Sequence, residues 1–451
     1  MFRDLWALRL ASFGNLDRNG GLPFSTSTSP PNSSFPQDER SMNDSLIQVS
    51  LPFMENKELF GDYVNIFGGI RFGKILEDLD VFAATCAYMH CGTSTTQGEK
   101  LTIVTAAVDR IDVHMRLDEP VNLRMKGMVT FVGKSSMEVT IVVESSRTAT
   151  GGFKGSPEVS EDVTINQFID TEKCENPEKS DNSWKLAALA KFIMVAKNSD
   201  GPVQVPRLKL NSQREKEIFA AGAERHDARL KRAKQSLFKE PPTEEESKLL
   251  HSLFLKPNNG HADIKQVPIS STILTTTKLC HPQERNIHDL IFGGYLMREA
   301  LELGFTCGIL FSRSQLHFLA VDELAFKHPV PIGAVLQLTA QVVYTEEEGG
   351  NSNNVNTNSN SNSNNNDQSP LTTQSTHPLT QLIHVEVVAD VLDTKTSDRK
   401  TTNTFHFTFR LEGPPQYTVR PGTYPEAMKY LEGKRRVSAA PLDPMGTIYK
   451  F

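Results

Sequence analysis

One acidic side chain and two glycines lie in long apolar helical patterns, where together they could act on an electrophilic carbonyl group. Asp80 sits on an apolar helix face beside small alanines, so partial burial should raise its pKa while leaving it ionised near neutrality. It could serve there as a general base or as a nucleophile. Gly293 and Gly294 open a second helix, whose first-turn N–H groups could stabilise an oxyanion. Asn286, just upstream, could hydrogen-bond to the reacting group or to an attacking water.

The two helical patterns are altered copies of one motif. The copies are RFGKILEDLDVFAATCA at 71–87 and IFGGYLMREALELGFTC at 291–307. Apolar residues recur in both at the spacing of one helix face, which predicts two long buried helices. Gly73 aligns with Gly294, and the same step onward gives Asp80 in the first copy and Leu301 in the second. Only the first copy keeps the acid.

The other polar groups favour the second copy. Counting back from the aligned glycines gives Asn65 in the first copy and Asn286 in the second, and Gly293 stands where the first copy has Phe72. Together the copies hold one full set, with Asp80 from the first and Asn286 and Gly293 from the second. We therefore expect one working site per chain.

The reciprocal site is expected to be degenerate. It retains Asn65 as a relic or a structural turn residue, and Leu301 cannot act as a base. Glu302 follows Leu301 directly, but one helical step of about 100° should turn its carboxylate away.

Strands flank both helices, so the fold class is α+β, with an antiparallel sheet around each long helix. Period-two alternation and turn residues predict strands in both halves of the chain. These are 46–51, 101–108, 121–132, 136–144 and 184–196 in the first half, and 273–279, 318–326, 335–344, 382–392 and 404–411 in the second. The 451-residue length and the repeat favour two such domains.

The expected domain order places three further segments around these two domains. The first domain spans 45–200 and the second 266–415, joined by a charged helical connector at 201–265. Matching acidic residues favour a solvated helix there over a nucleic-acid contact. A Gly-, Ser-, Asp- and Glu-rich interval at 147–182 reads as a loop, and the Asn- and Ser-rich tract at 349–378 as a disordered insertion at a hairpin tip. Residues 416–451 form a C-terminal extension.

Composition excludes several classes of partner. The net charge of −6 gives no basic footprint for nucleic acid. The five cysteines are odd in number and lack metal-like spacing, which predicts reduced thiols in an intracellular compartment and no metal site. The chain has no run of eighteen apolar residues, so we expect no membrane span.

Residues 1–44 have the composition of a targeting segment followed by a spacer. An amphipathic start carrying Arg3 and Arg9 precedes a tract rich in Ser, Thr and Pro, as in mitochondrial transit peptides. The alternative is a disordered N-terminus of a cytoplasmic protein, because Asp4 and Asp17 weaken the signal. The expected location is the mitochondrial matrix.

Several blocks in order carry a family resemblance. FGKILEDLD at 72–80, HPQERN at 281–286 and IFGGYLMR at 291–298 resemble the tandem hotdog-fold acyl-CoA thioesterases, over roughly residues 45–440. The resemblance implies two hotdog domains pairing through their sheets, and hydrolysis of acyl-CoA to a free acid and coenzyme A. It also implies homo-oligomers, commonly trimers of two-domain chains, and no cofactor, because coenzyme A is part of the substrate. In the family pattern the acid comes from one domain and the asparagine and glycine from the other.

Substrate contacts and rival functions remain open. Arg71, Lys74, Arg285 and Arg298 lie close to the helix starts and could meet the phosphates of coenzyme A. Glu77 and Asp78 read as solvent-facing acids that complement the helix dipole. The enzymatic rival is a hotdog hydratase or dehydratase, which would need a catalytic histidine at the site. The other rival is a non-catalytic acyl-CoA-binding regulatory protein.

Overall fold

The computed structural model describes nine segments of the chain. They are residues 39–92, 101–147, 158–160, 184–234, 241–255, 264–286, 289–348, 380–396 and 398–438. Residues 1–38 of the expected targeting segment and the Asn- and Ser-rich insertion lie outside them.

The described residues contain two long helices at the two motif copies. The α-helices are α1 (Lys57–Gly61), α2 (Phe72–Cys91), α3 (Gln213–Lys234), α4 (Glu244–Leu255), α5 (Gly293–Ser312) and α6 (Tyr424–Ser438). The predicted helices are thus confirmed as α2 and α5. Helix α2 ends where Gly92 takes a φ of 70°, and α5 ends where Arg313 takes a left-handed conformation with a φ of 57°.

Strands surround each long helix. The first half contains β1 (Arg40–Ser41), β2 (Ile47–Leu51), β3 (Thr102–Val108), β4 (Ile111–Val113), β5 (Asn122–Val132), β6 (Ser136–Ser146), β7 (Glu158–Ser160), β8 (Trp184–Asn198), β9 (Gly201–Pro202) and β10 (Leu208–Lys209). The second half contains β11 (Lys265–Pro268), β12 (Leu274–Leu279), β13 (Leu316–Val321), β14 (Leu324–Ala325), β15 (Val335–Glu348), β16 (Thr380–Leu392), β17 (Arg399–Glu412) and β18 (Tyr417–Arg420).

Two strand predictions need correction. The predicted strand 318–326 is two strands, because the N–H of Asp322 donates to the carbonyl of His406 and the chain then turns to a new neighbour. The interval 147–182 is not wholly a loop, since β7 pairs with β2.

One antiparallel sheet joins the two halves. Its strand order is β12-β15-β16-β17-β13-β4-β8-β6-β5-β2-β7, with β3, β9 and β14 paired beside this path. The join is made twice, by β13 with β4 and by β14 with β3. Val321 lies opposite Ile111, and Leu324 lies opposite Val108. Strands β3 and β4 of the first repeat correspond to β13 and β14 of the second. Because β3 pairs with β14 and β4 pairs with β13, the halves are related by a pseudo-two-fold axis.

Each long helix is buried against its own half of the sheet. Ile75, Leu76, Leu79 and Phe82 of α2 are fully buried and form the stripe expected from the sequence. A β-carbon at Gly127 of β5 would lie 2.6 Å from the Phe82 ring. Glycine is therefore required where the helix approaches this strand.

The repeated unit is longer than the sequence predicts. Helix α3, from the expected connector, packs on the first half through Phe219 against Phe131, and α6, from the expected C-terminal extension, packs on the second through Tyr430 against Tyr344. Each is preceded by a short parallel strand pair, β1 with β10 and β11 with β18. The two helices are thus equivalent elements, and the Arg225 guanidinium of α3 binds the Glu138 carboxylate at 2.6 Å.

Helix α4 lies between the two repeats in the chain and packs on α6. Leu250 contacts the apolar residues of α6, and Glu246 accepts two hydrogen bonds from Arg435. A capping box closes its start, because the Thr243 hydroxyl accepts from the N–H of Glu246 and the N–H of Thr243 donates to the Glu246 carboxylate.

Replacing Gly222 by alanine should destabilise the protein, because the new β-carbon would lie 2.5 Å from the β-carbon of Phe131. We expect a loss of about 1–3 kcal/mol in the free energy of unfolding, measured by chemical denaturation. Gly61→Ala in α1 is the matched control, since a β-carbon there meets nothing within 4 Å. Equal stability of the two variants would contradict the close packing of α3 on β5.

Candidate active site

Asp80 lies at the junction of the two repeats. Its side chain is 2% exposed on α2. One carboxylate oxygen accepts a 2.6 Å hydrogen bond from the Thr105 hydroxyl of β3, and the other accepts a 2.8 Å hydrogen bond from the N–H of Gly294 in α5. The acid of the first copy therefore meets the helix start of the second copy directly.

The surroundings of Asp80 shift its titration toward neutrality. Burial raises its pKa to about 6, against the opposing effect of the hydrogen bonds from Thr105 and Gly294, which favour the ionised form. At neutral pH the group is a carboxylate, yet it binds a proton far more readily than an exposed aspartate. Such a group is suited to taking a proton from water or attacking a carbonyl.

Gly293 leaves space beside this carboxylate. A β-carbon at this position would lie 3.0 Å from Oδ2 of Asp80 and 3.1 Å from the ring of Phe326. Phe326 follows β14 and donates its N–H to the carbonyl of Ala106 next to Thr105. The site is thus bounded by backbone from both repeats and by one aromatic ring.

The role expected for Gly294 changes. The sequence predicts that its N–H faces an oxyanion, whereas the structure shows it donating to Asp80. First-turn N–H groups satisfy the nearest acceptor, and here that acceptor is a buried carboxylate. Gly293 keeps the predicted oxyanion role as a proposal.

Asn286 and Asn65 occupy equivalent turns. The N–H of Asn286 donates to the Leu290 carbonyl, and its side-chain oxygen accepts from the N–H of Leu290 at 3.3 Å. Asn65 makes the same two contacts with Gly69, at 2.8 Å and 3.1 Å. Both asparagines therefore shape the loop before a long helix.

The reciprocal site is occupied by apolar and paired groups. Leu301 is buried where the first copy has its acid, and Phe72 packs its ring 5.0 Å from that of Phe318. Glu302 does not turn away as predicted, because its long side chain reaches the start of α2. Arg71 donates to both of its carboxylate oxygens at 2.8 Å, which neutralises the acid.

The basic residues expected to meet phosphates form ion pairs between helices. Arg71 binds Glu302, and both Lys74 and Arg298 bind Glu77, at 2.6 Å and 2.8 Å. Arg285 is exposed and lies 3.5 Å from Asp289. The structure therefore adds no support for their predicted contacts with coenzyme A.

The prediction that Glu77 and Asp78 face solvent is wrong. They are 5% and 2% exposed, because α5 and the segment before α2 cover that face of the helix. The Tyr63 hydroxyl donates to Asp78 at 2.6 Å, and burial raises the pKa of Asp78 to about 7.

Thr105 and Phe326 are site residues that the sequence analysis does not identify. Thr105 lies in a predicted strand, but which of its residues face Asp80 depends on the register of β3 against α2. Phe326 reaches the site only because β14 crosses to pair with β3. The one sequence signal is the shared Ala-Val-Asp of the two copies at 107–109 and 320–322, which marks the crossing.

Neither a group of metal ligands nor a membrane-spanning helix is found in the part of the chain that the structure describes, namely its nine segments. In these segments no group of three or more His, Cys, Asp or Glu side chains could hold a metal ion. None of the helices described is both long and apolar enough to cross a membrane.

Comparison with known proteins points to one family. The chain is 33% identical over 407 residues to mitochondrial acyl-coenzyme A thioesterase 9 of Bos taurus, covering 88% of this chain and 78% of that protein. It is 32% identical over 411 residues to the Homo sapiens protein of the same name, covering 89% and 78%. The resemblance predicted from the sequence is confirmed. No model of a protein family matches the chain.

Solved structures show a weaker likeness. An acyl-CoA hydrolase from Staphylococcus aureus, in complex with butyryl coenzyme A, coenzyme A and coenzyme A disulfide, is 18% identical with a TM-score of 0.31. The match covers 41% of this chain and 94% of that one. The family assignment therefore rests on the sequence relatives.

Replacing Asp80 by asparagine should stabilise the protein above pH 6. Because the folded-state pKa is raised, the carboxylate costs stability as pH rises from about 4 through about 6, by roughly 2–3 kcal/mol. The variant should therefore melt higher than wild type at pH 8 and similarly near pH 4, as measured by thermal unfolding.

The exposed Asp200, replaced by asparagine, is the control for loss of a charge. If the difference in melting temperature between Asp80→Asn and wild type were the same at pH 8 as at pH 4, the raised pKa of Asp80 would be contradicted.

Proposed function

The chain belongs to the acyl-coenzyme A thioesterase family, and we propose that it hydrolyses fatty acyl-CoA to a free fatty acid and coenzyme A at one composite site formed by its two repeats. The observation that carries this proposal is the hydrogen bond from Gly294 of the second repeat to Asp80 of the first. It places the Asp80 carboxylate of the first copy against the glycine-containing first turn of α5 in the second copy.

The chemistry of a thioester suits these groups. The leaving thiol resembles that of free cysteine, whose pKa is about 8.5, so it departs as a thiolate with little help from an acid. Asp80 either takes a proton from the attacking water or attacks the carbonyl carbon itself. In both routes a carbon–oxygen bond forms, the carbon–sulfur bond breaks, and water supplies the hydroxyl of the product acid. A carboxylate with a pKa of about 6 is largely ionised when it does this work at neutral pH.

Three further groups would support the reaction. The N–H of Gly293, at the start of α5, would stabilise the oxyanion in the space that a side chain would otherwise fill. The Thr105 hydroxyl would keep the carboxylate oriented through its 2.6 Å hydrogen bond. Asn286 would hold the loop before α5 and orient the thioester or the attacking water from it.

The domain arrangement belongs to the same proposal. The two helix-on-sheet units are tandem hotdog domains, with the reciprocal site inactive because of Leu301 and the Arg71–Glu302 pair. The named relatives are mitochondrial proteins, which supports a mitochondrial location for this chain. A trimer of two-domain chains remains the expected assembly.

Thiol release from acyl-CoAs of several lengths tests the function. Asp80→Asn should lower kcat by roughly 10²–10⁴-fold, because the base or nucleophile is lost. Asp78→Asn is the matched control, a second buried acid on the same helix, and should keep most of its activity. Binding of acyl-CoA without thiol release would favour a regulatory protein. Addition of water to an enoyl-CoA would favour a hydratase.

Replacing Thr105 by valine should move the acid limb of the pH–rate profile upward. Activity requires the carboxylate, so wild-type kcat falls as pH drops through about 6. Without the Thr105 hydrogen bond the ionised form is less stable, and the limb should rise by about one pH unit. Thr102→Val in the same strand is the control. An unmoved limb in the Thr105 variant would exclude Asp80 as the titrating group.

A further inference from the structure

The two long helices touch at two equivalent points. A β-carbon at Gly294 of α5 would lie 2.8 Å from the α-carbon of Glu77, and one at Gly73 of α2 would lie 2.9 Å from the γ-carbon of Arg298. Residue 73 thus meets 298 and residue 77 meets 294, so the helices run antiparallel. The two glycines are aligned in the repeat, and so are Glu77 and Arg298, each one turn later.

These equivalent positions carry opposite charges and bind each other. Glu77 Oε1 lies 2.8 Å from Arg298 Nε, a charge contact without hydrogen-bond geometry, and Lys74 binds the other carboxylate oxygen at 2.6 Å. A second acid, Glu299, lies 3.4 Å from the Arg298 guanidinium. The side chains of Glu77 and Arg298 are 7% and 14% exposed. Ion pairs this close to full burial depend strongly on geometry, because the charges have lost most of their hydration.

Two identical units could not make this pair. At an isologous two-fold interface, a residue near the axis meets its own copy, so identical units would place like charges together. A chain with two unequal copies can place glutamate against arginine. The pair therefore distinguishes the correct pairing of first unit with second from either unit paired with its own kind.

We propose that Glu77 and Arg298 are positioning residues, whose ion pair fixes the two repeats in the orientation that brings Asp80 to Gly294. This inference rests on the proposed thioesterase function. Glu77 lies one turn before Asp80 on α2, and Arg298 lies one turn after Gly294 on α5. The ion pair and the hydrogen bond from Gly294 to Asp80 therefore span the same two helix segments.

The ion pair affects the site by keeping α2 and α5 close enough for the Gly294 N–H to reach Asp80. The pKa of Asp80 is set by burial and by the hydrogen bonds from Thr105 and Gly294. If the helices separate slightly at Glu77, the Gly294 N–H withdraws from the carboxylate. The ionised form of Asp80 is then less stable, and the oxyanion donor at Gly293 is displaced from its place.

The sequence suggests another role for Arg298, as a ligand of the coenzyme A phosphates. The two roles differ in kinetics. A phosphate ligand contributes to substrate binding, so its loss raises KM, and Glu77 has no part in it. A positioning pair contributes to the geometry of the reacting groups, so loss of either partner lowers kcat.

The test compares Glu77→Gln, Arg298→Gln, the double variant and Arg298→Lys by kcat, KM and the pH–rate profile. Each single glutamine variant should lower kcat by roughly 10- to 100-fold, with KM within about twofold of wild type. Their acid limbs should move to higher pH. The double variant should be no worse than either single variant, and Arg298→Lys should recover part of the loss.

Glu144 offers a matched control within one repeat. It is a buried glutamate that binds Arg124 at 2.6 Å and Lys126 at 3.1 Å, the same arrangement of one acid and two cations. Glu144→Gln should lower the melting temperature to a similar extent as Glu77→Gln while leaving kcat and the acid limb unchanged. This comparison separates positioning from general loss of stability.

The outcomes are distinct. If Arg298→Gln raises KM alone and Glu77→Gln is silent, Arg298 is a substrate ligand and the positioning role is wrong. If Glu144→Gln lowers kcat as much as Glu77→Gln, the effect is general destabilisation and the proposal fails. A wild-type protein that releases no thiol would overturn the proposed function itself, and the positioning role with it. Active wild type with unaltered variants would overturn only the positioning role.

Discussion

The hydrogen bond from the Gly294 N–H to the Asp80 carboxylate is the interaction on which the site depends. A buried carboxylate is costly unless donors satisfy it, and one of its two donors comes from the other repeat. That donor reaches Asp80 only because α2 and α5 lie backbone to backbone at Gly294. Helix packing, rather than a mobile loop, therefore sets the geometry of the proposed site.

The sheet holds the same junction from the other side. Reciprocal pairing of β13 with β4 and of β14 with β3 brings Thr105 and Phe326 to the place where the helices meet. Arg110 of the first repeat binds the buried Asp322 of the second, and burial still raises the pKa of Asp322 to about 6. The interface between the repeats therefore contains buried charges whose partners lie in the other repeat.

The helices and most strands follow from periodicity, because a long buried helix and an alternating strand each leave a regular pattern in one dimension. Asp80 was also accessible to sequence reasoning, since its replacement by Leu301 is visible once the copies are aligned. Other features depend on which surface another element covers. The sequence does not show that α5 covers Glu77 and Asp78. It also does not show which residues of β3 face α2, so it could not identify Thr105. Glu302 reaches Arg71 although its position on the helix points away, because its side chain is long.

The equivalence of α3 and α6 was hidden for a different reason. Their sequences share only a few spaced positions. These are the capping pairs Ser212 and Glu215 in one and Thr423 and Glu426 in the other, the aromatic residues Phe219 and Tyr430, and the glycines Gly222 and Gly433. Their flanking residues are largely exposed and so are little constrained by packing. A capping pair, an aromatic residue and a glycine occur in many helices, so this short pattern did not identify the repeat without coordinates.

Covalent linkage of the two repeats makes the proposed site independent of protein concentration. Asp80 and Gly294 belong to one polypeptide, so their encounter is intramolecular and does not depend on the concentration of a second molecule. A site shared by separate subunits would be lost as the protein is diluted below the dissociation constant of its dimer. Here the contact between Asp80 and the start of α5 survives dilution. Because the two copies are encoded separately, a substitution in one copy does not have to appear in the other.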